Sequence, residues 1–313
     1  MNRGGPQGGL LGILEYLAQS NKNANCVEPD SRFKFVDDLT TLEKISILMI
    51  GLASHNIKQQ VPNDINENNL FIPSENLKSQ EYINQIQAWT INQKMELNEE
   101  KTKAMVFNFT RTKQFSTRLT LKNKNIETVK HTKLLGTIIS DNLKWNKNTS
   151  FLVKKAYSRM ELLRKVSEFA QSRNDRLHIY KMYVRSVVEQ SCTVWHSSLT
   201  RKNTTDLERV QRVAVKIITN GKYSYKEGLK KLSLPTLKQR REHLCARFAI
   251  KCLRSNRFKT MFKRNIRNHN MKLRYIKKYK EANIRTNRLY NSAIPYMQRY
   301  LNSEHMKTER KIS

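Results

Sequence analysis

Along the first part of the chain, apolar residues alternate with polar ones as they do in strands, and from Trp145 onward they recur at the three-to-four-residue spacing of helices. Phe33 and Phe35 alternate on the way into Asp37-Asp38, and Leu39 to Leu42 can run back, so this stretch reads as two strands joined by a tight acidic turn. Gln80 to Gln93 predicts a helix that buries Ile83, Ile86 and Trp89. Met105, Phe107 and Phe109 alternate as a strand, as do Leu119 and Leu121, and Leu134 to Ile139 reads as one more apolar strand. Between these elements, residues 54–79 are polar and Asn-rich with Pro62 and Pro73, the pattern of a loop insertion.

Three helical stripes follow. Leu152, Ala156, Met160 and Leu163 form the first, Tyr180, Val184 and Val187 the second, and Leu207, Val210, Ala214 and Ile217 the third. Thr205 with Glu208 three residues later reads as the capping box that opens the third helix. Lys154, Lys155, Arg159, Arg164 and Lys165, then Arg209, Arg212 and Lys216, decorate the other faces. Such charges suit a solvated face or a phosphate-facing one equally. From about Gln239 the chain is helix-prone and basic, with Phe248, Phe258, Phe262, Tyr275, Tyr279, Tyr290, Tyr296 and Tyr300 interleaved, which fits either a stacking surface for nucleic acid or the core of a small helical domain.

Charge narrows the choice of partner. The 313 residues hold 59 Lys and Arg against 26 Asp and Glu, a net of +33, and the excess is concentrated in residues 201–313, which have 31 basic and 7 acidic side chains. An imbalance of this size calls for a polyanion, most often nucleic acid. With 38% hydrophobic residues, including 11 Phe, 12 Tyr and 3 Trp, the chain has the material for a core. Its four cysteines, at 26, 192, 245 and 252, are too scattered for a disulfide framework, which points to a reducing compartment, nuclear or cytoplasmic, without secretion. The longest apolar run, Ile45 to Ala53, is half the length of a membrane span, so no membrane partner is expected. His243, Cys245, Cys252 and His269 match no zinc spacing, and His196 beside Trp195 reads as a packed or capping histidine.

Adjacent carboxylates at a hairpin tip repel each other, and a divalent cation removes that repulsion. Two such ions can activate a 3′ hydroxyl and stabilise a leaving pyrophosphate. Several motifs give the pair a context: Arg3-Gly4-Gly5-Pro6-Gln7-Gly8 with Leu10-Leu11-Gly12, Phe35-Val36-Asp37-Asp38, and Trp89 followed by Met95-Glu96-Leu97-Asn98 and Lys101-Thr102. Leu134-Leu135-Gly136 comes next, then Leu143-Lys144-Trp145, the stretch Ile179 to Trp195, and Leu207-Glu208-Arg209-Val210-Gln211. In this order they resemble the reverse transcriptase of non-LTR (LINE-type) retrotransposons, from residue 3 to about 219.

The resemblance implies an α+β fold, with a partial palm at 1–144, a helical thumb and connection at 145–220, and a basic helical region at 221–313. It implies an RNA-directed DNA polymerase that works on an RNA template, a DNA primer and dNTPs with Mg²⁺ (or Mn²⁺). Asp37 and Asp38 would be the metal-site carboxylates, Lys101 a proton donor near the triphosphate, Gln7 and Gly8 contacts to nucleotide or template, and Gly136 part of the primer grip. Lys154, Lys155, Arg159, Arg209 and Arg212 would meet the nucleic-acid backbone. The family's first catalytic aspartate sits upstream of the Pro-Gln-Gly block, where this chain has only Met1 and Asn2 before Arg3. The expectation is therefore a fragment inactive by itself, with a non-catalytic RNA- or DNA-binding protein as the alternative.

Overall fold

A computed structural model describes residues 32–35, 38–41, 69–72, 77–109, 114–169, 172–256, 258–265 and 277–312. The fold mixes helices with short strands, as the α+β expectation required, and divides into two compact units, Met1–Thr132 and Lys133–Ser313.

In the first unit, strand β1 (Arg32–Phe35) pairs antiparallel with β2 (Asp38–Thr41), in register Phe35↔Asp38. The expected hairpin is therefore present, with Asp38 as the first residue of the returning strand; Asp37 lies outside the described residues, as do Gln7 and Gly8. Strand β3 (Asn69–Ile72) pairs in parallel with β5 (Gln114–Thr117), while β4 (Lys103–Ala104) pairs in parallel with β8 (Glu127–Thr128). Short strands β6 (Thr120–Leu121) and β7 (Lys124–Asn125) close a second hairpin.

Helix α1 (Lys78–Asn92) packs on β6 through an unusual anchor. The amide of Gln80 receives the Thr120 N–H at 2.8 Å and donates to the Thr120 carbonyl at 2.9 Å, as a neighbouring strand would. This contact explains why α1 buries Gln80, Tyr82 and Thr90, whereas the expected face of Ile83, Ile86 and Trp89 stays half-buried. Two further expectations fail in this unit. Residues 105–109 form no strand beyond β4, and Phe109 stands exposed. Residues 69–72 form β3 inside the stretch read as a loop insertion, and α1 begins at Lys78 within it.

The second unit opens with β9 (His131–Leu134), which spans the division, and β10 (Thr137–Ser140). The expected single strand from Leu134 to Ile139 is thus a hairpin that turns at Leu135-Gly136. It belongs with the helices because the buried Asn148 side chain accepts the Ile138 N–H at 3.0 Å. The division between the two compact units falls between Thr132 and Lys133, ahead of the boundary at 144 read from the sequence.

Helix α2 (Asn146–Phe169) packs on α6 (Arg201–Ile218), and their N-terminal turns are tied by a 2.8 Å amide bond from Asn203 to Asn146. Between them run α3 (Arg173–Ile179), a π-helical segment (Tyr180–Arg185), α4 (Ser186–Glu189), α5 (Cys192–Trp195) and a 3₁₀ turn (His196–Ser198). The expected stripes are the core: Leu152, Ala156, Met160, Leu163, Tyr180, Val184, Val187, Leu207, Val210 and Ala214 are all buried beside Trp145 and Trp195. Ile217 is only half-buried, and its neighbour Ile218 takes the core position. Thr205 does not open α6; Thr200 does, accepting from the Asn203 N–H at 3.1 Å, while Thr205 bonds back to the Arg201 carbonyl inside the helix.

Helix α7 (Tyr225–Lys231) and helix α8 (Leu237–Arg254) each begin with a complete capping box, Ser224/Glu227 and Thr236/Gln239. A smaller second core gathers Ala249 and Cys252 of α8 with Phe262, Tyr279, and Met297 and Leu301 of the last helix, Ala293–Ile312. Some tail aromatics are therefore core, namely Phe262 and Tyr279, while Phe248, Phe258 and Tyr290 are exposed.

Candidate nucleic-acid interface

The charge divides where the fold divides. Residues 1–132 hold 16 basic and 14 acidic side chains, a net of +2, while residues 133–313 hold 43 and 12, a net of +31. Any polyanion surface is thus overwhelmingly a property of the second unit.

Within that unit the β9–β10 turn is an exposed feature with a strained backbone. A two-residue hairpin favours positive φ at both central positions because only that twist matches the flanking strands. Leu135 and Gly136 obey, with φ of 47° and 80°. Glycine adopts this freely, but leucine in the left-handed region is strained, at a cost of about 1–2 kcal/mol. Despite its strained backbone the leucine side chain stays 47% exposed instead of entering the core.

Beside the turn, Phe151 of α2 collects two ammonium groups over its ring, Lys133 at 5.1 Å and Lys155 at 5.9 Å from the centroid. Like charges held near one ring repel each other, and an anion between or above them would relieve that repulsion. Lys154 is exposed on the adjacent position of α2. Arg159, one turn further on, is half-buried, and its guanidinium donates to the Tyr183 carbonyl of the π segment at 2.9 Å. Its first role is therefore to hold a widened helical turn.

The other expected backbone contacts stand apart from the turn in sequence and differ in freedom. On α6, Arg209 is paired with Asp206 at 3.1 Å, and Arg212 is exposed with its guanidinium 5.3 Å from the Tyr225 ring centroid. Lys101 is exposed in the first unit, where its backbone N–H donates to Asn98 Oδ1 in the turn after α1. Asp38 is described as backbone only, and no cluster of three or more metal-ligating side chains occurs among the described residues.

Behind the surface, the second unit holds a buried cluster that the sequence showed only in part. Arg241 of α8 is fully buried, its Nε donates to His196 Nδ1 at 3.3 Å, and its guanidinium lies 5.8 Å from the Trp195 ring. Burial, then the adjacent Arg241 and Lys238 charges, lowers His196 to about 4, so the imidazole is neutral and accepts. Burial pushes the Cys192 thiol up to about 11 and the Cys245 thiol up to about 12, which leaves both as protonated, unreactive core groups. His196 is thus the packed histidine its position beside Trp195 suggested, and none of these groups is set up for acid–base chemistry.

Lys133, Phe151 and Gln190 were not singled out by sequence. The glycine after two leucines is the local trace of the turn, although the sequence reads as a strand through it; nothing in the pattern joins residue 133 to 151, or 190 to 135. The fold and this surface define a mixed helix-and-sheet protein with one strongly basic helical unit. No helix among the described residues is long and apolar enough to cross a membrane. Compared with protein-family models, curated proteins and solved structures, the chain finds no match.

Proposed function

We propose that the second unit binds a nucleic-acid duplex along the β9–β10 turn and the basic face of α2, as part of an RNA-directed DNA polymerase of the reverse-transcriptase kind. The observation that carries the reading is the convergence of Lys133 and Lys155 on Phe151 beside an exposed, strained turn, in a unit of net +31. Phosphate neutralises the lysine pair, and Leu135 meets sugar or base with its apolar surface.

On this reading the thumb and primer grip of such an enzyme correspond to α2 and the turn at Gly136, and RNA template and DNA primer are the partners. Asp37 and Asp38 would hold Mg²⁺ (or Mn²⁺), since paired carboxylates at one end of a hairpin are the hard oxygen donors these ions take. Such ions activate a primer hydroxyl toward an incoming dNTP when bound. Lys101 would serve the triphosphate. The second reading, a binding protein without catalysis, is favoured by the near-neutral first unit, because the positive surface does not need the acidic hairpin.

Fluorescence anisotropy with an RNA–DNA duplex tests binding. If Lys133, Lys154 and Lys155 alone neutralise phosphates, the slope of log affinity against log salt is about −2.7, a loss of about 40-fold between about 50 and 200 mM salt. Affinity that stays flat across that range refutes the proposal. Primer extension on an RNA template, with the chain joined to an upstream strand that carries a further aspartate, separates the two readings: extension abolished by Asp37→Ala supports the polymerase, and binding without extension supports the non-catalytic protein.

A further inference from the structure

Gly136 has a neighbour that the turn itself does not require. A Cβ built on this glycine would lie 2.2 Å from Gln190 Nε2, so the Gln190 amide occupies the space a side chain would take. The same Nε2 donates to the Leu135 carbonyl at 3.3 Å. Gln190 is well placed to act as a fixed arm. It terminates α4, the following Ser191 is left-handed at φ 51°, and the indole of the fully buried Trp195 donates to the Gln190 carbonyl at 3.0 Å. Its neighbour Glu189 is held by Arg185 at 3.2 Å and by Arg240 of α8 at 3.1 Å. The arm is therefore anchored to the core by an indole and to two helices by ion pairs, and its amide reaches across to the strained turn.

We propose that Gln190 is a positioning residue for polynucleotide binding: it locks the Leu135-Gly136 turn in its left-handed form so that Leu135 is presented outward beside Lys133 and Lys155. The inference rests on the nucleic-acid reading above and adds to it the group that holds the contact surface in shape. A leucine does not stay at positive φ unless its surroundings over-determine it. The Gln190 bond to its carbonyl and the filled space over Gly136 supply that determination. Pre-organisation of this kind raises affinity by removing the ordering that binding would otherwise require.

The full chain carrying Gln190→Ala, or Gln190→Met, in which the size is kept and no charge is added but the donor is lost, distinguishes this from a merely structural role. Both variants are expected to weaken duplex binding about tenfold with the salt slope unchanged, because no phosphate contact is removed. Lys133→Ala is expected to flatten the slope by about 0.9. Hydrogen exchange of the amides at 134–137 reads the lock directly, without any nucleic acid, and is expected to speed up at least tenfold in both variants at unchanged thermal midpoint. Gly136→Ala supplies a cycle: since Gln190 occupies the Cβ site, Gly136→Ala combined with Gln190→Ala should bind no worse than Gly136→Ala alone. Unchanged exchange in the Gln190 variants, or strictly additive losses in the cycle, overturns the lock. A wild-type chain that fails to bind duplex overturns the nucleic-acid reading, while the exchange experiment still decides whether Gln190 fixes the turn.

Discussion

Exchanging Gln211 for leucine probes how the helical unit is held together, because a single amide joins three elements there. Gln211 is 1% exposed. Its Oε1 accepts from the Tyr180 hydroxyl at 2.7 Å, and its Nε2 donates to the Pro235 carbonyl at 2.9 Å and to the Tyr225 hydroxyl at 3.2 Å. The three partners are not equal. Tyr225 keeps Glu208 as an acceptor, and Pro235 is exposed to water, so neither is stranded. Tyr180 is fully buried, and burial holds its phenol well above the ordinary value, so it remains a neutral donor that needs an acceptor. Stranding one such donor costs about 1–3 kcal/mol. The leucine returns roughly 1 kcal/mol of apolar burial, leaving a net loss of about 0–2 kcal/mol. Tyr180→Phe should cost a similar amount, because it strands Gln211 Oε1 instead. The double variant removes both partners and should be more stable than the sum of the single losses by about 1–3 kcal/mol. Urea unfolding followed by tryptophan fluorescence measures this, since Trp145 and Trp195 both lie in that core. Losses that add to within about 0.5 kcal/mol would refute the reasoning.

Gly228→Ala should destabilise by about 1–3 kcal/mol although alanine favours a helix by about 1, because the new Cβ would sit 2.4 Å from Val215 Cγ1 in a packed core; a thermal melt at or above the wild-type midpoint would contradict it. Lowering pH should weaken the fold through His196, whose folded value of about 4 lies below its ordinary 6.5. The unfolded chain then binds the extra proton, so this contribution is whole above pH 6.5 and falls by about 3 kcal/mol as pH drops to 4. The difference in denaturant midpoint between wild type and His196→Gln, followed from pH 7 to pH 4, isolates this loss from that of the carboxylates. Thr236→Ala removes the cap of α8 and should cost about 1 kcal/mol in the same unfolding assay. Lys154→Ala should weaken duplex binding without moving the melting midpoint, whereas Arg159→Ala should lower the midpoint because it releases the Tyr183 carbonyl; equal effects of the two on both readouts would show that the structural distinction between them is false.

What the sequence made legible is what repeats locally. The stripes of α2 and α6 were readable because each residue's burial follows from its spacing to the next, and the error at the end of α6 amounts to one position, Ile217 for Ile218. The N-terminus of α6 was misplaced because two threonines compete for it, and only backbone geometry shows that Thr200 is extended while Thr205 is inside the helix. Leu134 to Ile139 reads as one strand because apolar side chains run through it. Periodicity carries no record of chain direction, and leucine is not among the Gly, Asn and Asp residues that turn chemistry places at positive φ. That misreading and the hidden part of the site have one origin. The turn persists because Gln190, 55 residues away, fills the space over Gly136, and it is charged because Lys133 lies over Phe151 of the next helix. A strained turn cannot be recognised before its support is, and support drawn from so far along the chain leaves no local pattern. Under the proposed binding reading that support also has a use: it keeps a half-exposed leucine, set at positive φ by the two-residue hairpin, in place for what it meets outside.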